Sequence, residues 1–113
     1  MKKQISYILI YIFFKNIAFN EGKLKFSANS LETNINNNIE EQIFKNDVII
    51  NKQSMILYTD KAIYYPKLSK VILIDNVKMY DRQDSLFCDS LRLYDKDYKS
   101  FEALKNVHFY QNK

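Results

Sequence analysis

The chain has 113 residues, with one Gly, one Pro, one Cys and no Trp, yet 15% of it is aromatic and 47% hydrophobic. That length bounds it to one domain, and its apolar content excludes a disordered chain. A single Cys excludes a disulfide scaffold and a multi-cysteine zinc module, and a single Gly excludes phosphate-cradling loops of the P-loop or dinucleotide type. Of the 17 basic residues, three (Lys2, Lys3, Lys15) lie in the first 19 positions, which hold no acid, so the rest carries 14 bases against 13 acids. The net charge of +4 therefore marks the amino terminus, and no basic run supports nucleic-acid binding.

From the start, Lys2-Lys3 and a ten-residue apolar stretch from Ile5 to Phe14 have the order of a secretory signal, with Lys15 interrupting the run. A membrane span wants about 20 apolar residues. The small residue nearest a cut is Ala18, in Asn16-Ile17-Ala18-Phe19. The division expected is residues 1–19 as signal and 20–113 as a periplasmic domain; an uncleaved inner-membrane anchor and a buried strand or helix of the domain are the alternatives. The lone Cys88 then has no internal partner and is expected to be a small, half-buried residue.

Residues 30–42 are Asn-rich and predict a turn. Beyond them come short blocks of β-branched, aromatic and aliphatic residues: 47–50, 55–58, 62–65, 71–74, 77–80, 91–94 and 107–110. Polar turns such as 51–54, 81–84 and 95–97 divide them. No stretch of helical length keeps a three-and-four spacing, so an all-β domain is predicted.

The blocks repeat. Val48, Val77 and Val107 are spaced by 29 and 30 residues; each follows Asp or Asn (Asp47, Asn76, Asn106) and precedes, by two positions, Ile50, Met79 or Phe109. Leu57 to Tyr65 aligns with Leu86 to Tyr94 at an offset of 29, and Phe26 to Leu31 is a fainter copy with Asn29 where Asp60 and Asp89 stand. Val48/Val77/Val107, Ile50/Met79/Phe109, Leu57/Leu86, Ala62/Leu91 and Tyr64/Leu93 are apolar in every copy, whereas Ile49/Lys78/His108 and Ile63/Arg92 are not. A side-chain period of two puts the first set on one inward sheet face. The parity changes between Leu57 and Ala62, so the strands are expected to bend near Asp60-Lys61 and Asp89-Ser90, folding the sheet on itself.

Chemistry-bearing residues are sparse. His108 falls on the variable face and is the only histidine, Asp60 and Asp89 occupy equivalent corners where they are expected to hydrogen-bond local backbone, and no ligand cluster is evident. No catalytic residue, metal or cofactor is predicted.

The repeated Asn/Asp-Val, followed by Leu-x-x-Asp-x-(Ala/Leu)-x-x-Tyr, resembles the OstA-like family of lipopolysaccharide-transport proteins over residues 24–110. Asp47-Val48, Asn76-Val77, Asn106-Val107, Leu57 to Tyr65 and Leu86 to Tyr94 carry the likeness. Family members usually place Gly before the Asn-Val pair, where this chain has Asn46, Asp75 and Lys105. The resemblance implies an open β-jelly-roll whose inward residues, Val48, Ile50, Leu57, Ala62, Tyr64, Val77, Met79, Leu86, Leu91, Leu93, Val107 and Phe109, bind lipid. It also implies that the module carries lipopolysaccharide or a related lipid toward the outer membrane, and that it joins other jelly-roll transport proteins, or copies of itself, by edge-strand stacking. A structural β-repeat domain with a closed core and no lipid ligand is the alternative.

Overall fold

A computed structural model describes residues 10–21, 24–94 and 100–111. Lys2 and Lys3 of the expected signal, and the polar turn at 95–97, lie outside the described residues. The chain forms one antiparallel sheet in sequence order: β1 (Ile10–Glu21), β2 (Leu24–Asn36), β3 (Ile39–Lys52), β4 (Met55–Tyr65), β5 (Lys70–Asp81), β6 (Asp84–Tyr94) and β7 (Ser100–Leu104), with β8 (His108–Tyr110) also on β6. A 3-10 turn at Pro66–Leu68 joins β4 to β5. The short connections follow the sequence: Asn37 and Asn38 turn β2 into β3 with φ of 55° and 65°, and Gln53 and Arg82 take the left-handed position in the next hairpins. Among the described residues no helix is long and apolar enough to cross a membrane.

Each long strand is broken at one place, and the breaks line up. Register shifts fall between Ser27 and Ser30, Lys45 and Val48, Tyr58 and Lys61, and Ile74 and Val77. Across this line the sheet folds, so each strand contributes one half to each of two facing layers. β7 and β8 are the two halves of one such strand: β7 pairs with Ser90 to Tyr94 and β8 with Ser85 to Phe87. The bend expected near Asp60 and Asp89 is therefore present, and it recurs in every strand from β2 onward.

In β3, in β5 and between β7 and β8 the backbone makes that bend with paired left-handed residues. Asn46-Asp47, Asp75-Asn76 and Lys105-Asn106 all have φ between 51° and 70°. Glycine normally fills such positions at no steric cost, while Asn and Asp are the side chains that tolerate them best. Lys105 has neither advantage. Lys105→Gly is expected to raise stability by about 1 kcal/mol. A higher urea midpoint at unchanged slope checks it, and an unchanged or lower midpoint contradicts it.

The corner carboxylates act differently from expectation. Instead of bonding local backbone, Asp60 accepts from the Asn76 amide at 2.8 Å, Asp89 from Asn106 at 2.7 Å and Asp47 from Asn29 at 3.2 Å. The bulge turns these side chains outward together, so each corner is tied to the corner of a neighbouring strand. Beneath them the buried Thr59 hydroxyl lies 2.9 Å from the Ile74 carbonyl oxygen and 3.1 Å from that of Asp75, donating into this pair of acceptors. Cys88 occupies the same place one repeat later. It is 5% exposed, more buried than the sequence suggested, and that burial pushes its thiol pKa up.

On the outer face at the far end of β4, the Tyr65 hydroxyl donates to Glu41 Oε2 at 2.8 Å and Lys70 Nζ lies 5.3 Å from the ring centroid. Burial first, and the Glu41 carboxylate second, push the phenol from 10.0 up to about 12. The folded state thus holds this proton more tightly than the unfolded chain. Its contribution is fully present below pH 10 and is lost as pH rises through about 12. Tyr65→Phe should flatten the decline of stability in that window, as read by unfolding curves across it; an identical decline in both proteins would exclude this origin.

Candidate functional site

The strand register turns the inward face into rows that run across the sheet. One row is Phe26, Ile50, Leu57, Met79, Leu86 and Phe109. A second, in the other layer, is Leu31, Phe44, Ala62, Leu73, Leu91 and Ala103, and a third is Thr33, Gln42, Tyr64, Val71, Leu93 and Phe101. Of the residues expected to point inward, Val48, Ile50, Leu57, Ala62, Tyr64, Val77, Met79, Leu86, Leu91 and Leu93 are buried and join one core cluster. The rows also bring in Phe26, Phe44, Val71, Leu73 and Phe101, which are not among the residues expected to point inward. The 29- and 30-residue offsets, extended from Gln42 to Val71 to Phe101 and from Phe44 to Leu73 to Ala103, carry the signal for the members on β3, β5 and β7.

The interior is closed at one end and open at the other. Near β2 to β4, Phe26 of one layer stacks on Phe44 of the other at 4.6 Å between centroids, and lies 5.2 Å from the Tyr64 ring. Beside them the third row begins in polar groups, with the Thr33 hydroxyl donating to Gln42 Oε1 at 2.9 Å and the Gln42 amide bonded to Glu40. Among the described residues no buried side-chain nitrogen or oxygen lacks a partner.

At the β7–β8 end the inward set is not enclosed: Val107 and Phe109 are 45% and 58% exposed, whereas Val48 and Val77, repeat equivalents of Val107, are each 1% exposed. The register still puts Phe109 in the inward row, opposite Leu86. What differs is that among the described residues no further strand lies beyond β8 to close over it. Phe101, at the end of the third row, is 44% exposed for the same reason. Met79, Leu86, Phe101 and Phe109 line an open cavity of about 200 Å³, with Asp81 and Asp84 also on its wall.

A larger open concavity, about 990 Å³, lies mainly on the outward face, where Ile49, Ile56, Tyr58, Lys78 and Tyr80 contribute. It does not continue the apolar rows. Outward aromatics pair edge to face across neighbouring strands there, Tyr58 with Tyr80 and Tyr80 with Phe87, both at 5.9 Å. His108 is exposed on this same face, in register with Phe87. Among the described residues no three His, Cys, Asp or Glu side chains are grouped to hold a metal.

A folded antiparallel sheet with an apolar interior, sealed at one end and open at an edge, defines the class: an open β-jelly-roll. A family model described as OstA-like protein matches residues 24–83, more than half the chain, and the protein belongs to that family. Its fold is similar to that of LptH from Pseudomonas aeruginosa, described as the LptA homologous periplasmic component of the conserved lipopolysaccharide transport device. The TM-score is 0.76 at 11% sequence identity, with 98% of this chain and 96% of that chain covered. No curated protein sequence matches the chain.

Proposed function

We propose that this chain is a periplasmic lipid-binding module that passes lipopolysaccharide, or a related lipid, toward the outer membrane within a multi-protein bridge. The observation that carries the reading is the termination of two buried apolar rows in exposed phenylalanines, Phe101 and Phe109, at the open edge. An acyl chain in water costs about 0.8 kcal/mol per exposed methylene, and a slot walled by Met79, Leu86, Phe101 and Phe109 relieves that cost. Lipid enters at this end and displaces the packing of Val77, Leu57 and Leu91 only as the two layers part. The same edge, β7–β8, adds to the sheet of a neighbouring jelly-roll by backbone hydrogen bonds, so that one apolar interior continues into the next. The role is binding and transfer, with no chemical step.

Family membership and the LptH-like fold support this reading. Photo-crosslinkers at Met79, Phe101 and Phe109 should label lipopolysaccharide in cells, while one at Ala62, 0% exposed behind the aromatic seal, should label far less. Crosslinks to proteins alone from all four positions would sink the transport reading and favour a closed structural domain.

A further inference from the structure

The amino-terminal segment has two readings that compete for the same residues. Its charge, its apolar run and Ala18 are those of an export signal, yet its backbone pairs with β2 as β1. The register sets Ile10, Ile12, Ile17 and Phe19 opposite Thr33, Leu31, Ala28 and Phe26, which all belong to the inward face, and its one register shift, between Phe13 and Ile17, falls on the fold line. β1 is nevertheless an imperfect copy of the strands it resembles. Phe44 to Val48, Leu73 to Val77 and Ala103 to Val107 each step four positions across the fold, whereas Ile12 to Ile17 steps five. Measured this way, β7–β8 is the better-formed partner for the side of β2 that β1 occupies.

Strand direction leads to the same conclusion. Neighbouring strands alternate, so β7–β8 runs with β1, β3 and β5, and β2 runs against them. In a stack that keeps the fold line and the inward face continuous, β7–β8 of one copy lies antiparallel to β2 of the next. Against a retained β1 it would lie parallel, losing the ladder pattern on which every other row depends.

We infer that β1 is a displaceable cap, holding on β2 the place that the β7–β8 edge of a second copy of this chain takes once residues 10–21 leave it. Removal of the segment at export would then switch the chain from self-capped to joinable. The inference rests on the head-to-tail assembly proposed above and adds its control and its register. β3 supplies the template, pairing Ile50 with Phe26, Phe44 with Leu31 and Gln42 with Thr33. Their repeat equivalents Phe109, Ala103 and Phe101 would face the same three residues across the joint, covering both exposed phenylalanines.

The test uses the full chain carrying Cys88→Thr, Ala18→Cys and Ser27→Cys, the last two being partners in the β1–β2 register. Sedimentation without lipid should show the oxidised, locked form as a monomer and the reduced form associating at least tenfold more strongly. In a Cys88→Thr chain, Ile12→Asp with Ile17→Asp, which dislodges β1, should associate further, and adding Phe109→Lys should return that chain to monomer. Equal association of locked and reduced forms overturns the inference. So does a dislodged variant that keeps its β-sheet circular dichroism yet stays monomeric, or association that ignores Phe109→Lys. If the dislodged variant unfolds, the locked and reduced comparison decides alone. Because no lipid is present, failure here leaves crosslinking to lipopolysaccharide standing, and failure of that crosslinking leaves this result standing.

Discussion

Replacing Phe44 by alanine is expected to lower the unfolding free energy by about 3 to 5 kcal/mol, a large share of the roughly 5 to 15 kcal/mol that holds a domain of this size folded. Phe44 is 0% exposed, and its ring stacks on Phe26 at 4.6 Å from the opposite layer. The substitution therefore removes transfer energy, opens a cavity and loses a stacked pair worth about 1 kcal/mol. Relaxation into the gap is limited, because Tyr64 is fixed against the same Phe26 ring and Ala62 is too small to fill it. Phe44→Leu should recover most of the loss. Urea unfolding of the three proteins checks the order, and an alanine variant within 1 kcal/mol of the parent would show that the two layers are not held together at this point.

The second large effect falls on function and spares the fold. Phe101→Asp with Phe109→Asp is expected to cut capture of lipopolysaccharide by at least tenfold, about 1.4 kcal/mol or more of binding free energy, while leaving the thermal midpoint within a few degrees of the parent. Both side chains are already 44% and 58% exposed, so charging them buries no carboxylate. They would instead place two anions in a slot whose wall already carries Asp81 and Asp84, where an acyl chain would have to enter. Fluorescent lipid displacement and a melting curve on the same preparation separate the two terms. Undiminished capture would remove this edge from the lipid path.

How much of this could be foreseen from the residues differs by position. Val48, Val77, Leu57 and Leu91 were assignable to the interior because copies 29 or 30 residues apart kept them apolar while their neighbours varied. Phe44 shares that mark through Leu73 and Ala103, and Phe26 stands where Leu57 and Leu86 do, but the linear order does not say that the two rings meet, since their contact joins different halves of different strands and emerges only when the register is known. The repeat assigns Val107 and Phe109 to the inward face but not their exposure, because a repeat records which face a residue occupies and not whether another strand covers it. The corners were located by the change in parity, but their chemistry was not. A left-handed pair such as Asp75-Asn76 leaves its side chain free to bond the facing corner, and nothing in the linear order of Asp60 and Asn76 states that they meet.

The alignment of every corner on one line also makes the domain a ruler graduated in whole repeats. Joining Asp47 directly to Val77 would delete one repeat yet preserve the Asp/Asn-Val junction, the left-handed corner and all three rows. Removing any number of residues that is not one repeat would put apolar side chains on the wrong face or move a corner off the line. Two strands at about 4.8 Å apiece make one graduation about 10 Å long. A chain of such modules can therefore be tailored to a gap only in steps of that length, by gaining or losing units of about 30 residues.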